Sequence, residues 1–285
     1  MTYISNNFIS ILNRIKSEYE ESIKTSIFNG KSYENGNSAK QALIRSKRLI
    51  SYIHDYIKQE FIINGINQDK IFPPLGQNKP EITLLGYLKT KKQDICIIPD
   101  HWDESTKEEI NSGPLIGTVD PIGKDLIEKS ICANARSQLS SLNKNFDTLY
   151  ERTFAEAFNL HMRAPRLCMA EVYLIPTHEY DDLAMKHNKI DFKKVTKLEK
   201  YIHAFQAINN RQDHRLNHHM YERIWLVIVD FRHAPPKLYS DIKELLNDKL
   251  VPERTTATLN KLTIDRFCED ILDMYSQRFD ISNLY

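Results

Sequence analysis

Asn134-Ala-Arg-Ser-Gln-Leu-Ser-Ser-Leu-Asn-Lys-Asn-Phe146 runs out of a short apolar segment, Ile131 to Ala135, and straight into a stretch of helical periodicity. Leu139, Leu142, Phe146, Leu149, Phe154, Phe158 and Leu160 trace one face of a long helix that ends near His161, before Pro165. Val172-Tyr-Leu-Ile-Pro176 then reads as a strand, residues 195 to 209 as a helix, and Ile224-Trp-Leu-Val-Ile-Val-Asp230 as a buried strand. Ile264, Phe267, Ile271, Leu272 and Tyr275 give the tail a helical spacing. Upstream, Ile82 to Leu88 and Ile95 to Ile98 read as a hairpin joined by the basic turn Lys89-Thr-Lys-Lys92, and residues 100 to 125 as an irregular acidic excursion. The expected architecture is therefore α/β: a mixed central sheet flanked by helices.

Before these strands the pattern is helical. Ile4, Phe8, Ile11, Leu12, Ile15 and Tyr19 mark a helix over residues 4 to 28 that stops at Asn29-Gly30. A second helix is expected from the cap Ser38 to Ile63, closed by Asn64-Gly65, with its basic residues in the first half. Phe72-Pro-Pro-Leu-Gly-Gln-Asn-Lys-Pro80 has linker composition. We divide the chain into a helical N-terminal region, residues 1 to 66, and an α/β core over residues 67 to 285 that includes the C-terminal helix.

The 285 residues can bury a full core, and 41% hydrophobic with 27% charged residues is the composition of a folded protein. No run approaches the roughly 18 to 20 apolar residues of a membrane span, and Met-Thr-Tyr-Ile-Ser-Asn-Asn lacks the regions of a signal peptide, so a cytoplasmic protein without membrane contact is expected. Cys96, Cys132, Cys168 and Cys268 are far apart and lie mostly in apolar segments, which points to buried free thiols. With 8 glycines and neither GxGxxG nor GxxxxGK[ST], the usual nucleotide-binding loops are excluded. A net charge of +1 neither demands nor excludes a nucleic acid partner.

Two segments carry candidate chemistry. Gln93-Asp94 opens the strand Ile95 to Ile98, and Asn134-Ala135-Arg136 ends the next one. Placed on adjacent strands, they resemble the acid and the (Asp/Glu)-x-Lys element of the PD-(D/E)XK restriction-endonuclease superfamily, whose core has a helix, a three-strand meander, a helix and a further strand. The resemblance covers roughly residues 38 to 176, and Ser137-Gln138, Ser140-Ser141 and Lys144-Asn145 look like the opening of the helix after the catalytic strand. It departs from the family pattern at three positions: Gln93 stands for Pro, Asn134 for the second acid and Arg136 for Lys. Asn134 would hold a metal less tightly than a carboxylate. Arg136 stays protonated and cannot act as a base.

Members of this superfamily cleave double-stranded DNA with Mg²⁺ held by carboxylates, while a cation orients water and offsets charge on the phosphate. The resemblance thus implies a type II restriction enzyme. It would have catalytic Asp94, Arg136 and Glu151, with Asp94, Glu151 and Asn134 on the metal, and Glu156 lies further along the same helix. Gln138 and Glu60, the latter resembling the optional helix acid, are supporting groups. Lys89, Lys91, Lys92 and Lys144 are candidate phosphate contacts. A homodimer and a cognate DNA methyltransferase are the implied partners. The replacements at positions 134 and 136 also suit an alternative, a non-cleaving DNA-binding or scaffold subunit of a restriction or phage-defence complex. A third reading is an interaction protein unrelated to DNA.

Other polar groups carry blander readings. His214-x-x-x-His218-His219 has metal-ligand spacing, but its Asn- and Gln-rich surroundings favour an exposed connection. Glu171 could be a metal ligand, a partner of Arg163 or Arg166, or plain edge polarity, and the last two are preferred. His161 could stabilise the end of its helix as a cation.

Overall fold

The computed structural model describes residues 2–140, 142–195 and 197–285, with side chains omitted at residues 2–6 and 143; Ser141 and the side chain of Ile4 thus lie outside the described residues. Three helices come first: α1 (Thr2–Thr25), α2 (Gly36–Arg45) and α3 (Arg48–Ile63). The single helix expected over residues 38 to 63 is thus two. Lys47 takes a left-handed conformation (φ 61°) and turns the chain between them. A side chain with a Cβ gives no local warning of such a turn, which glycine or asparagine normally marks.

Strand β1 (Ile71–Phe72) is followed by a hairpin of β2 (Ile82–Leu85) and β3 (Thr90–Gln93), and then by β4 (Ile95–Ile97). The hairpin differs from the expected one. The reversal occurs at Gly86 to Lys89, closed by the Gly86 N–H donating to the Lys89 carbonyl, and the lysine-rich segment is itself the returning strand. Lysine stems lie along a strand while their heads reach water, so a basic run does not mark a turn. β4 instead joins the main sheet.

That sheet has six strands, adding β5 (Ile131–Ser137), β6 (Cys168–Pro176), β7 (Arg223–Asp230) and β8 (Lys237–Tyr239), in the order β8-β7-β6-β5-β4-β1. The β1/β4, β4/β5 and β7/β8 pairs are antiparallel, whereas β5/β6 and β6/β7 are parallel. Helix α4 (Leu142–His161) links β5 to β6, and α5 (Leu198–Ala207) precedes β7. Helix α6 (Phe267–Ser276) follows β8.

Strand alternation sorts the sheet's side chains between two cores. Ile131, Ala133, Ala135, Trp225 and Val227 face α1, α3 and α6, while Cys132, Met169, Tyr173 and Ile224 face α4 and α5. Phe8, Leu12 and Ile15 of α1 belong to the first core together with Trp225, so residues 1 to 66 share a core with the sheet. All four cysteines are buried and free. Among the described residues no helix is long and apolar enough to cross a membrane.

Candidate functional site

The β5 register decides which side chains can meet. Asn134 and Arg136 alternate with Ala133 and Ala135, so they point to the α4 side, and the parallel pairing sets Glu171 of β6 beside Asn134. Helix α4 covers this face and contributes Thr153 and Glu156, one turn apart. The Arg136 guanidinium donates to the Thr153 hydroxyl at 2.9 Å and to the Glu156 carboxylate. Its Nη1 also lies 3.1 Å from Glu171 Oε1, without hydrogen-bond direction, so both Glu171 oxygens are buried with no hydrogen bond among the described residues. Lys91 of β3 adds a second cation, 2.8 Å from Glu156 Oε2.

Asn134 links this cluster to Asp94. Its amide group donates to Gln93 Oε1 at 2.9 Å and Glu156 Oε1 at 3.3 Å, while its carbonyl oxygen accepts the Asp94 backbone N–H at 2.9 Å. The Asp94 carboxylate accepts the Ala135 N–H at 3.2 Å and stands 3.7 Å from Nε2 of His54 on α3, a buried nitrogen without a hydrogen bond among the described residues. Asp94 and Arg136 feel each other's charge, yet no ion pair joins them among the described residues.

Burial controls the electrostatics. It pushes the Glu171 carboxyl up to about 8, with Glu156 and Asp94 adding to the rise and Arg136 opposing it. Burial also opposes the charge of Arg136, but Glu171, Tyr221 and Glu156 outweigh it and hold the guanidinium firmly protonated. His54 is lowered by burial, against the pull of Asp94.

Asp94, Asn134 and Arg136 are thus brought into one connected network, with Glu156 as its helix acid; Glu151, on the same helix, is exposed. Glu171 pairs with Arg136 in mid-sheet, while Arg163 binds Asp120 and Arg166 binds Glu128. Gln138 sits apart, accepting from the hydroxyls of Tyr173 (3.1 Å) and Tyr201 (2.8 Å). Glu60 lies across the sheet, lining a cavity of about 640 Å³ with Tyr56, Trp225 and Cys268, where burial raises its pKa. Lys89, Lys92 and Lys144 are exposed, and Lys91 is committed to Glu156. His161 is fully buried and its pKa is lowered by burial to about 4, so at neutral pH it cannot act as a cationic cap. His214, His218 and His219 occupy an irregular connection.

Two residues of the network, Thr153 and His54, escaped sequence reading, and Lys91 was expected at a phosphate rather than at Glu156. Thr153 and His54 sit on helices whose periodicity shows only their apolar faces, and the Lys91 contact depends on the hairpin register. No local pattern encodes these meetings.

The donors of the network suit a divalent metal in kind but not in arrangement. Three carboxylates and a carboxamide are of the right kind, and the unbonded oxygens of Glu171 are the kind a cation would satisfy. Their arrangement is not: Arg136 stands between Glu156 and Glu171, and no three His, Cys, Asp or Glu side chains among the described residues are placed to hold a metal ion. As arranged the residues do not fit a metal, and the guanidinium serves as the cluster's resident cation. In comparisons with protein-family models, curated proteins and solved structures, the chain matches none.

Proposed function

We propose that the chain acts on double-stranded DNA as a restriction-type endonuclease, with the Asp94–Asn134–Arg136–Glu156 network at the scissile phosphate. One observation carries this reading. The chain runs helix α3, antiparallel meander β1-β4-β5, helix α4 and parallel strand β6, the order the resemblance implies, and Asn134 bridges the Asp94 backbone N–H and Glu156, which Arg136 also binds. In this reading Arg136, freed from Glu156, offsets the charge of the phosphate, and Asp94 orients the attacking water. The reading includes a two-fold dimer matched to a palindromic site and a companion DNA methyltransferase.

A second reading, a non-cleaving DNA-binding or scaffold subunit, is favoured by the closed state of the cluster. Both of its cations are already bonded to Glu156. Incubation with supercoiled plasmid and Mg²⁺ or Mn²⁺, beside duplex binding measured across a salt series, separates the two. Cleavage abolished by Asp94→Ala supports the first reading, and its response to EDTA shows whether a metal enters the site with the DNA. Salt-sensitive binding without nicking selects the second, and failure to bind or cut at low salt removes both and leaves a protein that does not act on DNA.

A further inference from the structure

Lys40 of α2 is 3% exposed and makes no hydrogen bond among the described residues. Its one charge partner there is Asp182, whose Oδ1 is 3.9 Å from the ammonium. Nearly every other buried cation described is better matched. Lys58 donates to two carbonyls and Asp55, and Arg223 to Asp270 and three carbonyls. The Lys40 ammonium is reached through the cavity it lines, so water or a ligand entering there completes a charge that the protein itself leaves poorly matched.

The space around Lys40 has the character of an anion site. A cavity of about 410 Å³ is lined by Lys40, Arg45, Lys186, Ser140, Asn37 and Asp182, three cations against one carboxylate. The cavity adjoins a second of about 290 Å³: Ile44 lines both, and the second contains Arg136, Ser137 and Tyr173. Arg136 and the three cations at Lys40 thus line neighbouring cavities along α2, separated by the largely apolar lining of the second, Ile44, Leu49, Ile50, Leu139 and Leu149.

We propose that the Lys40 cavity binds a backbone phosphate of DNA, flanking the phosphate addressed by the Arg136 network, with Lys40 as the central contact and Arg45 and Lys186 at the mouth. The inference rests on the DNA reading above and moves the main phosphate contact from the β2/β3 hairpin lysines to α2. Burial lowers the Lys40 pKa, and Asp182 opposes that shift; an incoming phosphate would act in the same direction as Asp182.

The test compares wild type with Lys40→Met, which keeps the apolar stem, and Lys40→Arg, which keeps the charge. Binding of a labelled duplex is followed by fluorescence anisotropy over a range of salt. For Lys40→Met we expect a several-fold loss of affinity at low salt and a salt slope reduced by about one, with Lys40→Arg retaining the slope. Equal affinity and slope in wild type and Lys40→Met would overturn the assignment while leaving the DNA reading intact. If wild type binds no duplex, that reading falls and calorimetric titration with inorganic phosphate decides the site separately. Phosphate binding lost in Lys40→Met upholds an anion site, and binding that is absent or unaffected by the substitution overturns it.

Discussion

Glu171 is a carboxylate in the middle of a sheet, fully buried, with neither oxygen hydrogen-bonded among the described residues. Its folded-state pKa of about 8 stands above the ordinary 4.5, so the stability tied to its proton is fully present below pH 4.5 and is lost as pH rises towards 8. Glu171→Gln cannot ionise and escapes that loss, which amounts to a few kcal/mol. We expect the variant to melt near the wild-type temperature at about pH 5 and several degrees above it at about pH 9. A difference in melting temperature that does not change with pH would show that Glu171 titrates normally. Asn134 makes the complementary point. A carboxylate there would face Gln93 Oε1 and Glu156 without the two donors that the amide supplies. Asn134→Asp should therefore cost about 1–3 kcal/mol in chemical denaturation at neutral pH. The sequence exposed these polar positions on β5 because strand alternation is local. It did not expose their partners: choosing Glu156 over Glu151 requires the rotation of α4 against the sheet, which only packing fixes.

At the scale of elements, α4 positions the site twice. One turn supplies Thr153 and Glu156, and the next supplies Asn159, whose side chain clamps the β2/β3 turn. Asn159 Oδ1 accepts the N–H groups of Leu88 (2.7 Å) and Lys89 (3.1 Å), and its Nδ2 donates to the Lys89 carbonyl at 2.9 Å. Gly86 permits this approach, since a Cβ there would lie 2.2 Å from Asn159 Nδ2. Asn159→Ala would strand these backbone groups. We expect a loss of about 2–3 kcal/mol, with faster hydrogen exchange at Leu88 and Lys89 than at the strand amides of β6. Unchanged exchange at those two amides would mean that water replaces the clamp without cost. Elements long enough to show their period were legible in the chain: α4, β7 and α6 lie where the apolar pattern puts them, and β6 does so in its second half but begins at Cys168, four residues before the expected Val172. The shorter ones were not. The hairpin register turns on Gly86 and Asn159, residues far apart in sequence, and the break between α2 and α3 rests on one positive φ at Lys47.

At the scale of the molecule, the sheet is held between two cores, and buried charge ties their edges together. Glu222, at the entry to β7, binds Arg211 at 3.1 Å and Arg278 at 2.9 Å and accepts the Met169 N–H at 2.7 Å. It thus fastens the segment after α6 to the start of β6. The division at residue 66 expected from the sequence reflected a change of pattern from helical to strand-like, and pattern cannot report which surfaces a helix finally covers. In the fold, Phe8 packs against Trp225 with ring centroids 4.4 Å apart and the planes tilted by 54°, and Ile53 and Ile57 of α3 lie in the same core as Ala133 and Ala135. Stripping the N-terminal helices would expose to water the part of that face covered by α1 and α3, leaving only α6 on it. Burial of large apolar side chains contributes about 1.5–3 kcal/mol each, so several such losses exceed the net stability of an ordinary domain. We therefore expect the 285-residue chain to unfold in one transition, with helix content and tryptophan fluorescence changing together, and a fragment starting at residue 67 to lack a cooperative transition. A fragment that melts cooperatively on its own, or two separate transitions in the intact chain, would show that residues 1 to 66 are an independent unit resting on a self-sufficient core.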